Sequence, residues 1–313
     1  MTRHFTLFSL LAWAFGLTLL TSCNGFEGSQ TVPAYIRIDS VGLDCDYFTY
    51  GANTSRFTDV WIYVDDNGGP VELPAVFPVL KEGIHSVRVR AAIRINGIQG
   101  TKVVYPFVEE KIYPEVNLVP DSIVTLRPVL HYYPISDNFH VTWLEDFDGS
   151  ALTIARTSGS DTTLMRISGP QAWHDAGGLY STQSGEVVLT SDTMAFTIAT
   201  IDALSERFSQ IPTTGEPSCI MEMDYKCSDT LLMGLVFEKD LVPMEYPLLR
   251  IRPTCDPGEE PTEWRKIYIN IGPDLIDNKD YAFSKIYLAS WPYRNEGTQY
   301  FYFDNLKLMY RDR

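Results

Sequence analysis

Glu222, Asp224 and Lys226 alternate with Met223 and Tyr225. In an extended chain, period two puts the three polar side chains on one face. Retaining glycoside hydrolysis needs two carboxylates about 5 Å apart, one as nucleophile and one as acid/base. In an E-x-D-x-E set the first and last acids would be that pair, and Lys226 stands in the last place. Its ammonium, protonated at neutral pH, supplies no second carboxylate. The segment therefore reads as solvent-facing acids on a half-buried strand. His85, His131, His140 and His174 are scattered, and the chain has no H-E-x-x-H, G-x-S-x-G or G-x-x-x-x-G-K-[ST] motif. The expectation is a protein that is not an enzyme and requires no cofactor.

The elements that must position these residues are β-strands. The chain has 313 residues, enough for about two domains with cores of their own. Aromatics make up 13% of it, too many for a disordered acidic chain. A formal charge of −15 sets it against nucleic acid and anionic membrane surfaces, whose phosphates it would repel. Val60-Trp61-Ile62-Tyr63-Val64 runs into Asp65-Asp66-Asn67-Gly68-Gly69, a turn whose Asn and Gly accept positive φ. Val87-Arg88-Val89-Arg90-Ala91 alternates as a half-buried strand should. Asn96-Gly97 is the strongest hairpin signal, closing Ile93-Arg94-Ile95 onto Val103-Val104-Tyr105. The proline-bearing stretch from Leu73 to Gly83 is confined to an edge or a connection.

These features predict a β-sandwich over residues 34–134, with the junction in the polar stretch 131–138. Strands then recur at 187–189, 194–199, 220–225, 231–237, 248–251, 266–271, 283–289 and 300–309. They predict a jelly-roll β-sandwich over residues 135–313. Only residues 201–208 read as helix. The fold class is all-β.

Residues 1–22 form a secretory signal: Arg3 and His4, an apolar run over 5–20, and no acid before Cys23. Its exit, Leu20-Thr21-Ser22-Cys23, resembles the bacterial lipobox. That resemblance implies cleavage before Cys23, diacylglycerol on its thiol and a stable anchor, each buried CH2 contributing about 0.8 kcal/mol. Asn24 after the Cys implies an outer-membrane destination, with residues 23–33 as a lipidated tether. Either the cell surface or the periplasmic face remains open. Trp143-Leu144-Glu145-Asp146-Phe147-Asp148 and Tyr302-Phe303-Asp304-Asn305-Leu306-Lys307-Leu308 resemble the first and last strands of carbohydrate-binding-module-type jelly rolls. Trp264-Arg265-Lys266-Ile267-Tyr268-Ile269 resembles a further strand of that family. As a whole, the chain resembles Bacteroidota outer-membrane lipoproteins with an immunoglobulin-like sandwich followed by a galactose-binding or carbohydrate-binding-module-like jelly roll.

This resemblance implies a structural Ca2+ between the first and last jelly-roll strands, with Asp146, Asp148 and Asp304 as its carboxylates. Asp-Ser/Thr followed by an aliphatic residue, Met or Thr resembles the O-glycosylation pattern of Bacteroidota secretory proteins. It marks Ser40, Ser122, Thr162, Thr193 and Thr230, most of all Ser40 or Ser122. Cys45, Cys219, Cys227 and Cys255 allow three disulfide connectivities, and free buried thiols remain equally open. A bridge in the second domain would have Cys255 at one end.

Two functions compete. In the first, the β-sandwiches dock on another envelope protein as an accessory subunit of an outer-membrane assembly, with Tyr105-Pro106-Phe107 as an exposed patch. In the alternative, the jelly roll binds glycan by stacking aromatic rings on sugar faces. Trp173, Tyr180, Trp291 and Tyr293 lie in Gly/Pro-rich stretches that read as loops. Docking is the leading expectation; nucleic acid is not expected as a partner.

Overall fold

The computed structural model describes residues 32–136, 138–174, 180–215, 218–256, 258–291 and 297–312. Cys23, the signal segment and Tyr293 lie outside the described residues. Ten strands build the N-terminal unit: β1 Ala34–Ile38, β2 Gly42–Leu43, β3 Asp59–Val64, β4 Asn67–Glu72 and β5 Ala75–Val79, then β6 Gly83–Arg94, β7 Lys102–Val104, β8 Lys111–Leu118, β9 Ile123–Thr125 and β10 Val129–Leu130. Eleven more follow: β11 Phe139–Glu145, β12 Ile154–Arg156, β13 Met165–Ser168, β14 Gln183–Leu189 and β15 Phe196–Thr200. The last six are β16 Ser218–Cys227, β17 Leu231–Lys239, β18 Val242–Ile251, β19 Arg265–Asn270, β20 Ala282–Ser290 and β21 Gln299–Arg311. The chain is all-β, as its patterning predicts.

In the N-terminal unit, β4-β3-β6-β7 with β8 forms one sheet; β5-β1-β9 and the pair β10-β2 form two smaller ones. Alternation does the sorting. Val87, Val89, Ala91 and Ile93 of β6 are buried, while Arg88, Arg90 and Arg94 face outward. The β3–β4 turn is the two-residue Asp65-Asp66, with φ of 47° and 70°. Asn and Gly were expected to take positive φ there; instead the shorter turn puts two aspartates in that region and pairs Val64 with Asn67. At the other hairpin, Asn96 and Gly97 do adopt φ of 57° and 67°. The proline-bearing β5 pairs only with β1, at the edge of its sheet.

The C-terminal unit is a two-sheet sandwich. One sheet runs β13-β14-β21-β16-β19, with β11 beside the far end of β21; the other runs β12-β15-β20-β17-β18. Phe147, Phe196, Met221, Met223, Leu235, Leu288, Phe301 and Phe303 fill the space between them. Each fully buried large apolar side chain contributes roughly 1.5–3 kcal/mol. The expected helix over 201–208 is a 3-10 turn, Asp202–Leu204, followed by a short helix, Ser205–Ser209. Two further short helices, Tyr47–Tyr50 and Gly272–Asp277, carried no periodicity long enough to predict.

The two units share a core. Ile220, Tyr268 and Met309, on the outer face of the six-stranded sheet, pack into the cluster formed by the N-terminal unit. Tyr105 and Phe107 lie in that cluster and are buried, so they form no exposed docking patch. The Asn96-Gly97 turn also reaches across: Asn96 N donates to the Tyr268 carbonyl at 2.7 Å, and Asn270 N donates to Asn96 Oδ1 at 3.1 Å.

Candidate functional site

The outer face of the six-stranded sheet is built from cross-strand rows. Phe301 and Phe303 of β21 point into the core, so Tyr300, Tyr302 and Asp304 point outward. Pairing then aligns Lys226, Tyr302, Glu186 and Met165 in one row, with Trp264 beside Lys226. The next row holds Lys266, Asp224 and Asp304, and the one beyond it Tyr268, Glu222, Lys307 and Leu144.

The last two rows lie against the N-terminal unit. Glu222 and Asp224 are buried, not solvent-facing as their alternation predicts. The Tyr105 hydroxyl donates to Glu222 Oε1, and Lys266 Nζ lies 3.0 Å from Glu222 Oε2 and 3.9 Å from Asp224 Oδ2. Thr54 Oγ1 and Asn305 Nδ2 donate to Asp224 at 3.2 and 2.9 Å. Burial pushes the Asp224 carboxyl above its ordinary range, against the pull of Lys266. The buried Lys307 ammonium donates to the Ala52 carbonyl at 3.1 Å, and desolvation lowers its pKa to about 8. Glu222 is thus committed to Tyr105 and Lys266 and offers no open carboxylate for hydrolysis.

The first row lies outside this cover. The rings of Tyr300 and Tyr302 are parallel within 4° at a centroid distance of 6.3 Å, and Trp264 meets Tyr302 at 63° and 6.5 Å. Lys226 Nζ sits 4.5 Å from the Tyr302 centroid and 5.3 Å from that of Trp264. It also donates to Gln171 Oε1, while Gln171 Nε2 donates to Glu260 Oε1 at 2.7 Å. The Tyr302 hydroxyl donates to the same Glu260 oxygen at 3.4 Å. Burial raises the Tyr302 phenol, and Glu186 and Glu260 raise it further. Tyr302 is a buried floor; Tyr300 and Trp264 are half-buried and Glu260 is exposed. Lys226 is buried beneath these groups, so the face presents ring surface of Trp264 and Tyr300 beside the Gln171 amide and the Glu260 carboxylate, the pairing that holds a polyhydroxylated ring by stacking and hydrogen bonds. The sequence does not single out Tyr300 or Gln171, and it marks Tyr302 and Lys226 for other reasons, although the i, i+2 spacing of two tyrosines in an apolar strand is a visible signal.

Of the four rings singled out in the sequence, Trp173 lies beside β14 and Tyr180 packs against the Tyr47–Tyr50 helix of the N-terminal unit. Trp173 is half-buried, and its backbone N–H donates to Ser184 Oγ at 2.8 Å. Tyr180, 49% exposed, stacks on Tyr47 at 4.9 Å and meets the 82% exposed Phe48 edge-on. Trp291 is 56% exposed and follows β20 in the other sheet, so it does not join them.

Asp146, Asp148 and Asp304 do not assemble the expected Ca2+ set. β11 stops at Glu145, and Phe147 adopts a φ of 60°, so Asp146 and Asp148 sit on a turn and not on a strand face. Asp146 accepts from the Tyr47 hydroxyl at 2.7 Å and Asp148 from Thr182 Oγ1 at 2.7 Å. Asp304 accepts from Ser184 Oγ at 2.5 Å and Asn305 N at 2.7 Å, and burial raises its carboxyl well above the ordinary range. Their oxygens are taken by N–H and O–H donors, and among the described residues no three His, Cys, Asp or Glu side chains are grouped to hold a metal.

Of the O-glycosylation candidates, Ser40 is exposed, while Ser122, Thr162, Thr193 and Thr230 are half-buried. Ser122 Oγ donates to the Val119 carbonyl at 2.6 Å, and Thr193 Oγ1 accepts from Thr190 N at 2.7 Å. Cys45, Cys219, Cys227 and Cys255 are free thiols.

No family model matches the chain, and no curated protein matches it. Among solved structures it is similar to the family 11 carbohydrate-binding module of a cellulosomal cellulase of Clostridium thermocellum, with 16% identity and a TM-score of 0.32 over 56% of this chain and 95% of that one. It is also similar to a family 29 carbohydrate-binding module from Piromyces equi, with 14% identity and a TM-score of 0.27 over 56% of this chain and 91% of that one. SGBP-B from a complex xyloglucan utilization locus in Bacteroides uniformis spans more of the chain: 89% of this one and 73% of that one, with 11% identity and a TM-score of 0.33.

Proposed function

We propose that the protein is a non-catalytic glycan-binding protein that lays a sugar chain across Trp264 and Tyr300 on the outer face of the six-stranded sheet. The observation that carries this is the pair of half-buried rings Trp264 and Tyr300 with Glu186, set over the buried Tyr302 and Lys226 and left outside the footprint of the N-terminal unit. Tyr302 fixes the floor, and Gln171, Glu186 and Glu260 supply hydrogen bonds to sugar hydroxyls. The proposal includes an outer-membrane position through a lipid on Cys23. A polysaccharide panel tests the binding: the full chain should retain at least one polymer, and Tyr300→Ala should weaken that binding about tenfold, roughly 1.4 kcal/mol. Because Tyr300 is half-buried and not in the core, its truncation should leave thermal unfolding close to that of the parent. Retention of no polysaccharide, or an unchanged Tyr300→Ala, sinks the proposal.

The docking reading rests on a different observation. The β17–β18 hairpin ends in Leu241, Val242 and Met244, exposed by 91, 61 and 38%. An apolar tip of this kind favours contact with another protein. Leu241→Asp with Val242→Asp should abolish recovery of an envelope partner while leaving glycan retention unchanged.

A further inference from the structure

The six-stranded and five-stranded sheets end on one flank in the edge strands β19 and β18, and a groove of about 720 Å3 opens between them. Arg265 of β19, Arg250 of β18 and Arg252 just after it line one side; Arg56 and Arg94 of the N-terminal unit close the other. Charged residues protect many sheet edges from pairing with other chains. That purpose does not explain this groove, because two of the five guanidiniums come from a separate unit and converge on the same space. Arg94 is held by Asp59 at 3.4 Å and Glu72 at 2.8 Å. Among the described residues, Arg56, Arg250, Arg252 and Arg265 have no carboxylate within 4.0 Å. Arg265 donates to the Thr254 carbonyl at 3.2 Å, which leaves most of its fork open. In a chain of formal charge −15, positive charge gathered in one groove marks the place where an oxyanion is accepted.

Trp264 and Arg265 are neighbours at the start of β19, the edge strand on which the groove opens, and period two turns Trp264 to the sugar face and Arg265 to the other side. We infer that this groove continues the glycan site and takes the carboxylate or sulfate groups of an acidic polysaccharide; this rests on the glycan-binding reading. Guanidinium forks match both oxyanions in bidentate geometry. The surrounding acidic surface repels such a polymer elsewhere and so steers it to this flank.

The test uses the purified full chain with polygalacturonate and with the same polymer methyl-esterified, which keeps the sugars and removes the charge. Polygalacturonate should bind at least about tenfold more tightly than its ester, with an advantage that falls as salt rises. Arg250→Gln with Arg252→Gln, both at exposed positions, should erase that advantage and leave ester binding unchanged. Dextran sulfate and dextran, which carries no charge, run in parallel and show whether sulfate serves as well as carboxylate. Equal binding of the charged and uncharged member of both pairs overturns the groove inference while the sugar face stands. So does a preference for acid that survives the double substitution. Arginine-dependent binding of acidic polymers that ignores Tyr300→Ala supports the groove and removes the sugar face instead.

Discussion

Lys266 Nζ lies 3.0 Å from Glu222 Oε2 on a sheet face that the N-terminal unit covers. The pair is only 4% and 1% exposed, and the Tyr105 hydroxyl reaches Glu222 from the other unit. Ions buried this far lose hydration worth several kcal/mol each, so geometry and neighbouring donors must make up for it. Here the donors come from both units: Thr54 and Tyr105 from one, Asn305 from the other. The seam therefore fixes one relative placement of the two sandwiches, and that placement leaves Trp264 and Tyr300 uncovered by the N-terminal unit and brings Arg56 and Arg94 to the same groove as Arg250.

Lys266→Met should destabilise the protein by about 3–5 kcal/mol, because it leaves Glu222 and Asp224 buried without their cation. Adding Glu222→Gln should recover part of this loss, since one uncompensated charge disappears. Denaturant midpoints of the single and double variants check it. If Lys266→Met unfolds at the parental midpoint, the pair does not hold the seam.

Lys307 makes the stability depend on alkaline pH. Its folded pKa of about 8 lies below the ordinary 10.5 because burial disfavours the ammonium. Below pH 8 both folded and unfolded chains hold this proton, and above 10.5 neither does. Between these values the unfolded chain binds more protons, so stability from this group rises with pH, by up to about 3 kcal/mol at 1.36 kcal/mol per unit. Buried thiols act oppositely above pH 9: Cys219 is held protonated by burial and ionises only on unfolding. The effect is therefore the difference between the parent and Lys307→Met. That difference should shift in favour of the parent from pH 8 to 10, and a flat difference would refute it.

Much of the fold was legible because β-strands with one polar face state their own burial. β6 and β16 show period two, while β3, β17, β20 and β21 read as apolar and aromatic runs bounded by turn residues. What alternation cannot state is what lies over the polar face. Glu222, Asp224 and Lys226 share one face and all three are buried, but the first two are sealed by another unit and the third by Gln171, Trp264 and Tyr302 of its own. Their spacing in the sequence is the same, and only the footprint of residues far away in the chain separates them. The aromatic site was hidden for a related reason. Loop rings attracted notice, whereas Tyr300 and Tyr302 sit in a strand whose other face, Phe301 and Phe303, made the segment read as core.

Chelation distinguishes a cation site from a hydrogen-bonded one at Asp146, Asp148 and Asp304. With Tyr47, Thr182 and Ser184 already donating to them, EDTA should leave the melting temperature unchanged, and added Ca2+ should not raise it. Tyr47→Phe should cost about 1 kcal/mol through the lost hydrogen bond to Asp146. A rise of the melting temperature with Ca2+ that Asp148→Asn removes would reinstate the cation.

Gly234 lies in the middle of β17, where glycine has no turn to make and weakens a strand. Its reason is across the sheet: a Cβ there would fall on Cζ and Oη of Tyr287, whose ring lies over it among Ala199, Leu232, Val236 and Ala289. Tyr287 is 2% exposed, so it has little room to move aside. Gly234→Ala should therefore destabilise by about 1–3 kcal/mol through overpacking. Tyr287→Ala should destabilise by itself, yet the double variant should lose less than the sum, because the removed ring is the one the new methyl strikes. Urea unfolding of the four proteins measures that coupling. Strict additivity would mean that Gly234 is there for some reason other than the tyrosine.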